Sequence, residues 1–317
     1  MEAKVGFVPG RRKNPKRSSF RKDFNDSKYL LILFLPCLLY YIIFRYVPMW
    51  GVLVSFKDYR VFKGFFASPW VGFKYYEMFF NSPDAFIIIK NTLILGILTL
   101  LWTFPAPIIF ALILNEVKSR KFKKLTQTIS YMPHFISQVI VVGMVMMFLS
   151  PTHGIVNTVI ELFGGTKINF MVQPGWFRPV YIISEIWQGM GWGAIVYLAA
   201  LTNVDPQLYE AAIMDGASRW KQTIYVTLPC IIPTIITMFL LRTGSILEVG
   251  FEKVLLMQNP AIYSTSDVIS TFVYRQGLIS GNISYASAVG LFNSVVNLFF
   301  VISANFLAKK YSETSLW

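Results

Sequence analysis

Six apolar runs, each of about twenty residues or more, constrain this chain more than any other feature. The runs cover 29–54, 86–114, 128–149, 180–201, 224–247 and 285–307. An α-helix rises about 1.5 Å per residue, so about 20 residues cross the hydrocarbon core of a bilayer. Backbone N–H and C=O groups find no hydrogen-bond partner in lipid except one another, so such runs are helical. The sequence therefore predicts an all-α, polytopic membrane protein with six transmembrane helices.

Composition agrees with a membrane protein and disfavours a soluble one. Of the 317 residues 55% are hydrophobic and 14% are charged, whereas soluble domains carry about 25% charged residues. The net charge of +13 comes mainly from lysines and arginines that flank the apolar runs, above all before Tyr29 and between Lys118 and Lys124. We therefore expect these residues to lie near anionic lipid head groups, and we expect no nucleic-acid partner.

The distribution of basic residues predicts the orientation of the chain. Most of the 29 lysines and arginines fall on the side of the membrane that also holds both termini. The positive-inside rule places that side in the cytoplasm. We expect a basic cytoplasmic N-terminal tail at 1–28, a six-helix membrane domain at 29–307 and a cytoplasmic C-terminal tail at 308–317.

Catalytic and metal-binding patterns are missing from the sequence. Cys37 and Cys230 each lie inside an apolar run, which gives neither a disulfide framework nor ligand spacing. His134 and His153 are the only two histidines, and neither has a carboxylate or cysteine partner at a ligand spacing. We therefore predict no catalytic residue and no metal site.

The loop between the fourth and fifth apolar runs carries strong local signals. Asp205 is a good N-cap, Pro206 suits the first helical position, and Gly216 is placed to end a helix of about ten residues. A second helix is expected to begin near Ser218 and to run past Pro229 into the fifth run. The short helix is therefore expected to be tied directly to a membrane helix.

The residues of this loop also carry a family resemblance. Glu210-Ala-Ala, Asp215-Gly-Ala and Leu228-Pro follow one another at set spacings within 203–229. This pattern resembles the cytoplasmic signature loop of permease subunits in bacterial binding-protein-dependent ABC importers. Residues 44–59 and 70–76 resemble the oligosaccharide branch of that family, particularly subunits associated with the breakdown products of complex polysaccharides, as does Asn91-Thr92.

This resemblance implies a fold, a function and partners. The fold would be that of a type I ABC importer permease, which moves oligosaccharides through the bacterial cytoplasmic (inner) membrane by ATP-driven alternating access. The partners would be a second permease, commonly a different subunit, two ATPase subunits and an extracytoplasmic sugar-binding protein. This chain would not be an enzyme and would bind no cofactor, because ATP and Mg would bind to the ATPases; it has no GxxxxGK[ST] phosphate loop. The loop would form the coupling helix that docks on an ATPase, through Glu210, Ala211, Ala212, Asp215, Gly216 and Ala217.

Polar residues inside the apolar runs are candidates for the substrate pathway. Aromatic rings stack on sugar rings, and carboxylates and amides bind hydroxyl groups. The candidates are Glu185, Trp187, Gln188, Asn91 and Asn293. Other interpretations stay open: Glu185 either pairs with a basic residue or lies near the outer interface, and interhelical hydrogen bonds explain the asparagines equally well.

Arg242 and Glu248 are close in sequence at the outer end of the fifth run and are candidates for a structural ion pair. Two functional alternatives to sugar import are also open. One is an importer permease for another solute, such as an amino acid, a peptide or phosphate. The other is a membrane assembly protein that transports nothing. Co-purification of an ATPase that substrate stimulates would distinguish a permease from an assembly protein.

Overall fold

A computed structural model describes residues 20–311 of the chain. The predicted tails fall partly outside these residues, at 1–19 and 312–317. Within them, helix begins at Phe20 and the last helix ends at Tyr311, so the predicted boundaries at 28 and 307 both lie inside helices. The described residues form no β-strand, and one isolated bridge pairs Lys57 with Trp70. The α-helices are α1 (Phe20–Tyr41), α2 (Gly64–Ala67), α3 (Lys74–Phe80), α4 (Ala85–Thr103), α5 (Pro105–Glu116), α6 (Arg120–Tyr131), α7 (Gln138–Phe148), α8 (Ile155–Leu162), α9 (Pro174–Thr202), α10 (Pro206–Met214), α11 (Arg219–Gln222), α12 (Leu228–Thr243), α13 (Phe251–Met257), α14 (Tyr263–Ser266), α15 (Ile269–Tyr274) and α16 (Ile283–Tyr311).

Four helical stretches of the described chain are long and apolar enough to cross a membrane. They are Ser27–Phe56, Ala85–Glu116, Arg219–Thr243 and Ile283–Phe306, and they match the first, second, fifth and sixth predicted spans. The fourth predicted span, 180–201, lies inside α9. That helix has 29 residues and is therefore about 43 Å long, but its polar side chains make it less apolar than the four.

The third predicted span, 128–149, is not one straight helix. The chain runs through α6 and a 3₁₀ turn, Met132–Phe135, and α7 then starts at an angle of 102° to the preceding segment. Pro133 has no N–H to donate, and Ile136 and Ser137 have extended backbone, so the helical hydrogen bonds stop there. The bent pair counts as a fifth apolar span if it is taken as one unit. The prediction of a single continuous helix was wrong.

The chain divides into two units, up to Val52 and from Leu53 onward. In the described part of the first unit, α1 continues into a π-helical turn, Ile42–Tyr46, and then into a 3₁₀ segment that starts at Val47. Its apolar side chains are exposed, for example Leu33 at 79%. Exposed leucines on a long helix agree with a lipid-facing span.

In the second unit, α9 is the central helix and packs against α4, α5, α6, α12 and α14. Its first half contributes Phe177, Tyr181 and Ile182 to one apolar cluster, and its second half contributes Ala194, Tyr197 and Leu201 to another. The approach of α6 to α9 is close, because a Cβ added at Gly191 would overlap the Ser130 carbonyl. Both halves of α9 are therefore held by neighbouring helices.

The segment between the first and second spans is held by polar contacts of its own. The Tyr75 hydroxyl donates to Asp58 Oδ1 at 2.7 Å, and Arg60 Nη2 lies 3.2 Å from Asp58 Oδ2. The hydrogen bond from Tyr75 is the main cause that lowers the pKa of Asp58. Burial, and then the bond to Asp58, raises the pKa of Tyr75 to about 12.

Candidate coupling loop and substrate pathway

The short helix α10 begins as its sequence predicts. Asp205 has extended backbone, and its Oδ1 accepts a hydrogen bond from the Gln207 N–H at 2.9 Å. Pro206 occupies the first helical position, where its missing N–H costs nothing. The N-terminus of α10 is therefore capped by residues of the loop itself.

The end of α10 also follows the prediction. Gly216 has a φ of +75°, which L side chains rarely adopt. The Ala217 N–H donates to the Ala212 carbonyl at 2.9 Å, and the Gly216 N–H donates to the Ile213 carbonyl at 3.0 Å. These two bonds close a Schellman motif. The next helix, α11, begins after Ser218, as predicted, and continues into α12.

The predicted coupling residues divide into two groups by exposure. Glu210, Ala211, Asp215 and Gly216 are exposed, whereas Ala212 and Ala217 are half-buried. Sequence reasoning did not include two apolar residues of α10 that are also exposed, Ile213 at 56% and Met214 at 87%. Their place directly before Asp215-Gly216 was the available signal. The exposed side of α10 thus combines carboxylates with large apolar groups.

A buried ion pair lies in the first half of α9. Lys253 in α13 is 1% exposed, and its Nζ is 2.8 Å from Glu185 Oε1 and 3.2 Å from Gln188 Oε1. The Gly250 N–H donates to the Tyr181 hydroxyl at 3.1 Å, which ties the start of α13 to α9 as well. Glu185 therefore pairs with a basic residue, which is one of the two alternatives that the sequence left open.

Two cavities lie on either side of Glu185. One has a volume of about 290 Å³ and is lined by Gln138, Tyr181, Glu248 and Glu252, among others. The other has a volume of about 230 Å³. Both are lined by Glu185 and by Arg242, which ends α12. The two cavities therefore share a wall that carries one carboxylate and one guanidinium.

An aromatic platform lines the smaller cavity. The rings of His134 and Trp192 are parallel, with an interplanar angle of 1° and centroids 4.7 Å apart. Sequence reasoning missed both residues. Trp192 lies seven positions after Glu185, which places both on one face of a helix, so its position was predictable in principle. His134 was not, because it reaches Trp192 only through the bend before α7.

Two of the predicted pathway residues on α9 lie on different faces of the helix. Gln188 is 7% exposed, accepts a hydrogen bond from Lys253 and donates to the Ile136 carbonyl at 3.3 Å. Trp187 instead lines an apolar cavity of about 440 Å³ formed by α7, α8 and α9. Gln188 therefore supports the ion pair, and Trp187 points away from it.

The two predicted asparagines lie away from the Glu185 wall. Asn91 is 1% exposed; its Nδ2 bonds the carbonyls of Ser264 and Asp267, and its Oδ1 accepts from Arg178 at 2.9 Å. These bonds make Asn91 a tie between α4, α9 and the turn after α14. Asn293 lines a groove of about 580 Å³ between α13, α15 and α16.

The predicted ion pair between Arg242 and Glu248 is absent from the ion pairs of residues 27–310. Between Arg242 and Glu248 the chain leaves α12 and makes a turn, so the two side chains do not lie on adjacent turns of one helix. Both instead line the cavity of about 290 Å³.

The sequence model of one protein family matches residues 89–313, which include the capped α10 and the wall formed by Glu185. That family is described as the inner membrane component of binding-protein-dependent transport systems. The chain belongs to this family. This match confirms the predicted permease family, and the relatives and solved structures that follow confirm the predicted oligosaccharide branch of ABC importers. The permease is a transmembrane component of the inner membrane.

Two relatives from Bacillus subtilis (strain 168) match the permease over nearly its whole length. Protein LplB is 45% identical over 315 residues, which are 98% of this chain and 99% of the relative. The polygalacturonan/rhamnogalacturonan transport system permease protein YteP is 46% identical over 305 residues, with 96% and 95% covered.

Solved structures confirm the predicted all-α permease fold. A chain of a bacterial alginate ABC transporter, in complex with a periplasmic protein that holds an alginate pentasaccharide, matches with a TM-score of 0.88 and 44% identity. The match covers 94% of the permease and 100% of that chain. A second structure of a bacterial ABC transporter involved in alginate import matches with a TM-score of 0.86 and 45% identity, over 92% and 98% of the two chains.

Proposed function

We propose that this permease forms one half of an importer that moves acidic oligosaccharides into the cytoplasm, driven by separate ATPase subunits. The observation that carries the proposal is the position of α9. One helix supplies Glu185 and Trp192 to the cavity wall and leads, through three residues, to α10. A displacement of α10 would therefore act directly on the wall of the cavities.

The exposed side of α10 is the proposed contact with an ATPase. Met214 is 87% exposed beside Asp215, and such a combination of an apolar group and carboxylates suits insertion of a helix into a partner's groove. Glu210 would supply a polar contact, Ala211 would allow close approach, and the half-buried Ala212 and Ala217 would hold the helix against the loop. ATP and Mg would bind to the ATPases and not to this chain, which has no GxxxxGK[ST] motif.

The charge of the smaller cavity favours an anionic sugar. Glu185 pairs with Lys253, which leaves Arg242 as the charged side chain of the smaller cavity that has no such partner among the described residues. Glu248 and Glu252 line only the larger cavity. A guanidinium binds carboxylates strongly, and the rings of His134 and Trp192 offer a flat surface for a sugar ring. The relatives support this class, because one is named for polygalacturonan and rhamnogalacturonan and a structural neighbour imports alginate, an acidic polysaccharide.

The proposed assembly contains a second permease, two ATPase subunits and an extracytoplasmic sugar-binding protein. The alginate transporter in complex with its periplasmic protein is the support for the last of these. Both termini of the permease would lie in the cytoplasm together with α10. The residues between the first and second spans would face the binding protein or the outer lipid surface.

The test uses the complete importer in proteoliposomes, with a galacturonate oligosaccharide as the probe and an amino acid and phosphate as comparison solutes. Glu210→Lys and Gly216→Pro should abolish stimulation of the ATPase by the loaded binding protein and abolish uptake, while the permease stays inserted. Unchanged stimulation in both variants would overturn the role of α10. Uptake of the comparison solutes instead of the oligosaccharide would overturn the substrate class.

A further inference from the structure

Behind the exposed side of α10, a chain of partly buried hydrogen bonds joins this helix to the fifth span. We propose that Tyr209, Thr227 and Gln222 are positioning residues that transmit the movement of α10 to α12. This inference rests on the proposed function, since it assumes that an ATPase moves α10. It concerns residues on the opposite side of α10 from the proposed ATPase contact.

Tyr209 is the member of the chain that lies on α10. It is half-buried, whereas its neighbours Leu208 and Glu210 are exposed. Its hydroxyl is 2.9 Å from Thr227 Oγ1, at the junction with α12. Tyr209 therefore points from α10 toward the membrane helix.

The direction of each hydrogen bond follows from the chemistry of the groups. Thr227 is 2% exposed, and its Oγ1 lies 3.3 Å from the Gln222 carbonyl, which can only accept. The single hydroxyl proton of Thr227 is therefore donated to Gln222, and Tyr209 must donate to Thr227. Gln222 Nε2 in turn donates to the Ala217 carbonyl at 2.8 Å. The bonds thus run from α10 to α12 and return to the loop just after Gly216.

The backbone at this junction is unusual. Residues Thr223–Thr227 form a π-helical turn between α11 and α12, closed by a bond from the Leu228 N–H to the Thr223 carbonyl. Pro229 has no N–H, so the ordinary helical bond to the Tyr225 carbonyl cannot form, which favours the wider turn. π-turns are rare in proteins, and those that do occur are often found at functional sites. The buried Thr227 hydroxyl donates to the Gln222 carbonyl within this junction and couples the turn to Tyr209.

A second polar contact of this junction is much weaker. Arg219 Nη1 lies 3.7 Å from Glu116 Oε2, and both side chains are largely exposed. Exposed ion pairs contribute little to rigidity. The bond between Tyr209 and Thr227 is shorter and better shielded from solvent, and it is thus the polar contact that can hold α10 in a fixed position relative to α12.

The test measures the number of oligosaccharide molecules imported per ATP hydrolysed, with a galacturonate oligosaccharide and the complete importer in proteoliposomes. Tyr209→Phe should lower this ratio about fivefold, the factor that one ordinary hydrogen bond represents. Thr227→Val should lower it at least as much, because it also removes the bond to the Gln222 carbonyl. The double variant should be no worse than Thr227→Val alone, since that variant already removes the bond to Tyr209. Thr227→Ser keeps the hydroxyl and should keep the wild-type ratio. Tyr225→Phe is the matched control, because Tyr225 is 73% exposed.

The amount of ATPase that co-purifies with each variant separates this inference from the proposed function. We expect it to be unchanged in Tyr209→Phe and Thr227→Val. A wild-type ratio in both variants would overturn the inference. So would a loss of bound ATPase, because the residues would then only maintain the docking surface. A failure of the docking proposal itself would appear as unchanged coupling in Glu210→Lys.

Discussion

Two glutamates on consecutive helices, α9 and α10, have opposite environments. Glu185 in α9 is 23% exposed and bonds the buried Lys253, whereas Glu210 in α10 is exposed and takes part in no ion pair of residues 27–310. A carboxylate that is paired inside the chain stabilises the fold only as long as its partner is present. An exposed carboxylate beside exposed apolar groups is free to bind another protein.

This difference assigns different tasks to the two regions. The residues around Glu185 hold α9 to α13 and form the cavity wall, so changes there should affect the stability of the permease. Glu210 and the other exposed residues of α10, such as Ala211, Ile213 and Met214, face away from the chain, so changes there should affect coupling and leave stability intact.

Removing the buried lysine should have the largest effect. Lys253→Ala leaves Glu185 without its partner and should lower the free energy of unfolding by about 3–5 kcal/mol. Glu210→Ala should change it by less than about 0.5 kcal/mol. Thermal unfolding of the purified permease measures both values.

A compensating variant makes the same prediction sharper. Lys253→Ala combined with Glu185→Gln removes the unpaired charge and should recover part of the lost stability. Equal stability of Lys253→Ala and Glu210→Ala would contradict the division between the two regions.

A methyl group added between α6 and α9 should have the next largest effect on stability. In Gly191→Ala the new Cβ would overlap the Ser130 carbonyl, so α6 and α9 must separate, at a cost of about 1–3 kcal/mol. Gly189→Ala is the control on the same helix, since no atom lies within 4 Å of its added Cβ. Similar melting temperatures for the two variants would show that the close approach of the helices is not stabilising.

Replacing Arg242, which lines both cavities, should alter the selectivity for the substrate more than the stability of the permease. Arg242→Gln should reduce uptake of a galacturonate oligosaccharide about tenfold relative to a neutral oligosaccharide of the same length, because a charged hydrogen bond is lost. Arg242→Lys keeps the charge and should retain most of the preference. Equal losses of uptake for acidic and neutral sugars would mean that Arg242 does not discriminate between substrates by their charge.

The smallest effect concerns Asp58 and Tyr75, outside both regions. The pKa of Asp58 lies below its ordinary 3.8, so the stabilisation from this group is present above pH 3.8 and is lost as the pH falls through the lowered value. The pKa of Tyr75 is raised to about 12, so its contribution is present below pH 10 and is lost as the pH rises through about 12. Asp58→Asn should lower the Tyr75 pKa only in part, because burial is the larger cause. The ultraviolet difference spectrum against Tyr75→Phe measures this titration, and a complete return to 10 would contradict it.

Local sequence signals were sufficient for α10. Asp205, Pro206 and Gly216 act on backbone groups within a few residues, so the cap, the start and the end of the helix could all be predicted. The apolar runs likewise located the spans, although the break of the third one depends on Pro133 and on the extended residues after it. A count of apolar residues does not detect such a break.

The cavity wall depends on contacts that a single sequence does not reveal. Lys253 and Glu185 lie on different helices and meet only when α13 folds back on α9. Polarity alone brought Asn91 into the predicted pathway, and its buried hydrogen bonds give it a different place in the structure. The sequence therefore identified Glu185 as important without identifying its partner.

A cross-link between α10 and the ATPase tests most directly whether α10 is the docking helix. Cys37 and Cys230 are free, so both are first replaced by serine, and a single cysteine is then placed at Met214 or, as a control, at Leu162 in α8. Both positions are exposed, Met214 at 87% and Leu162 at 79%, but we place them on opposite sides of the membrane. If α10 docks on the ATPase, Met214→Cys should form a cross-link to the ATPase and Leu162→Cys should form none. A cross-link from Leu162→Cys, or none from Met214→Cys in an importer that transports sugar, would contradict the docking role of α10.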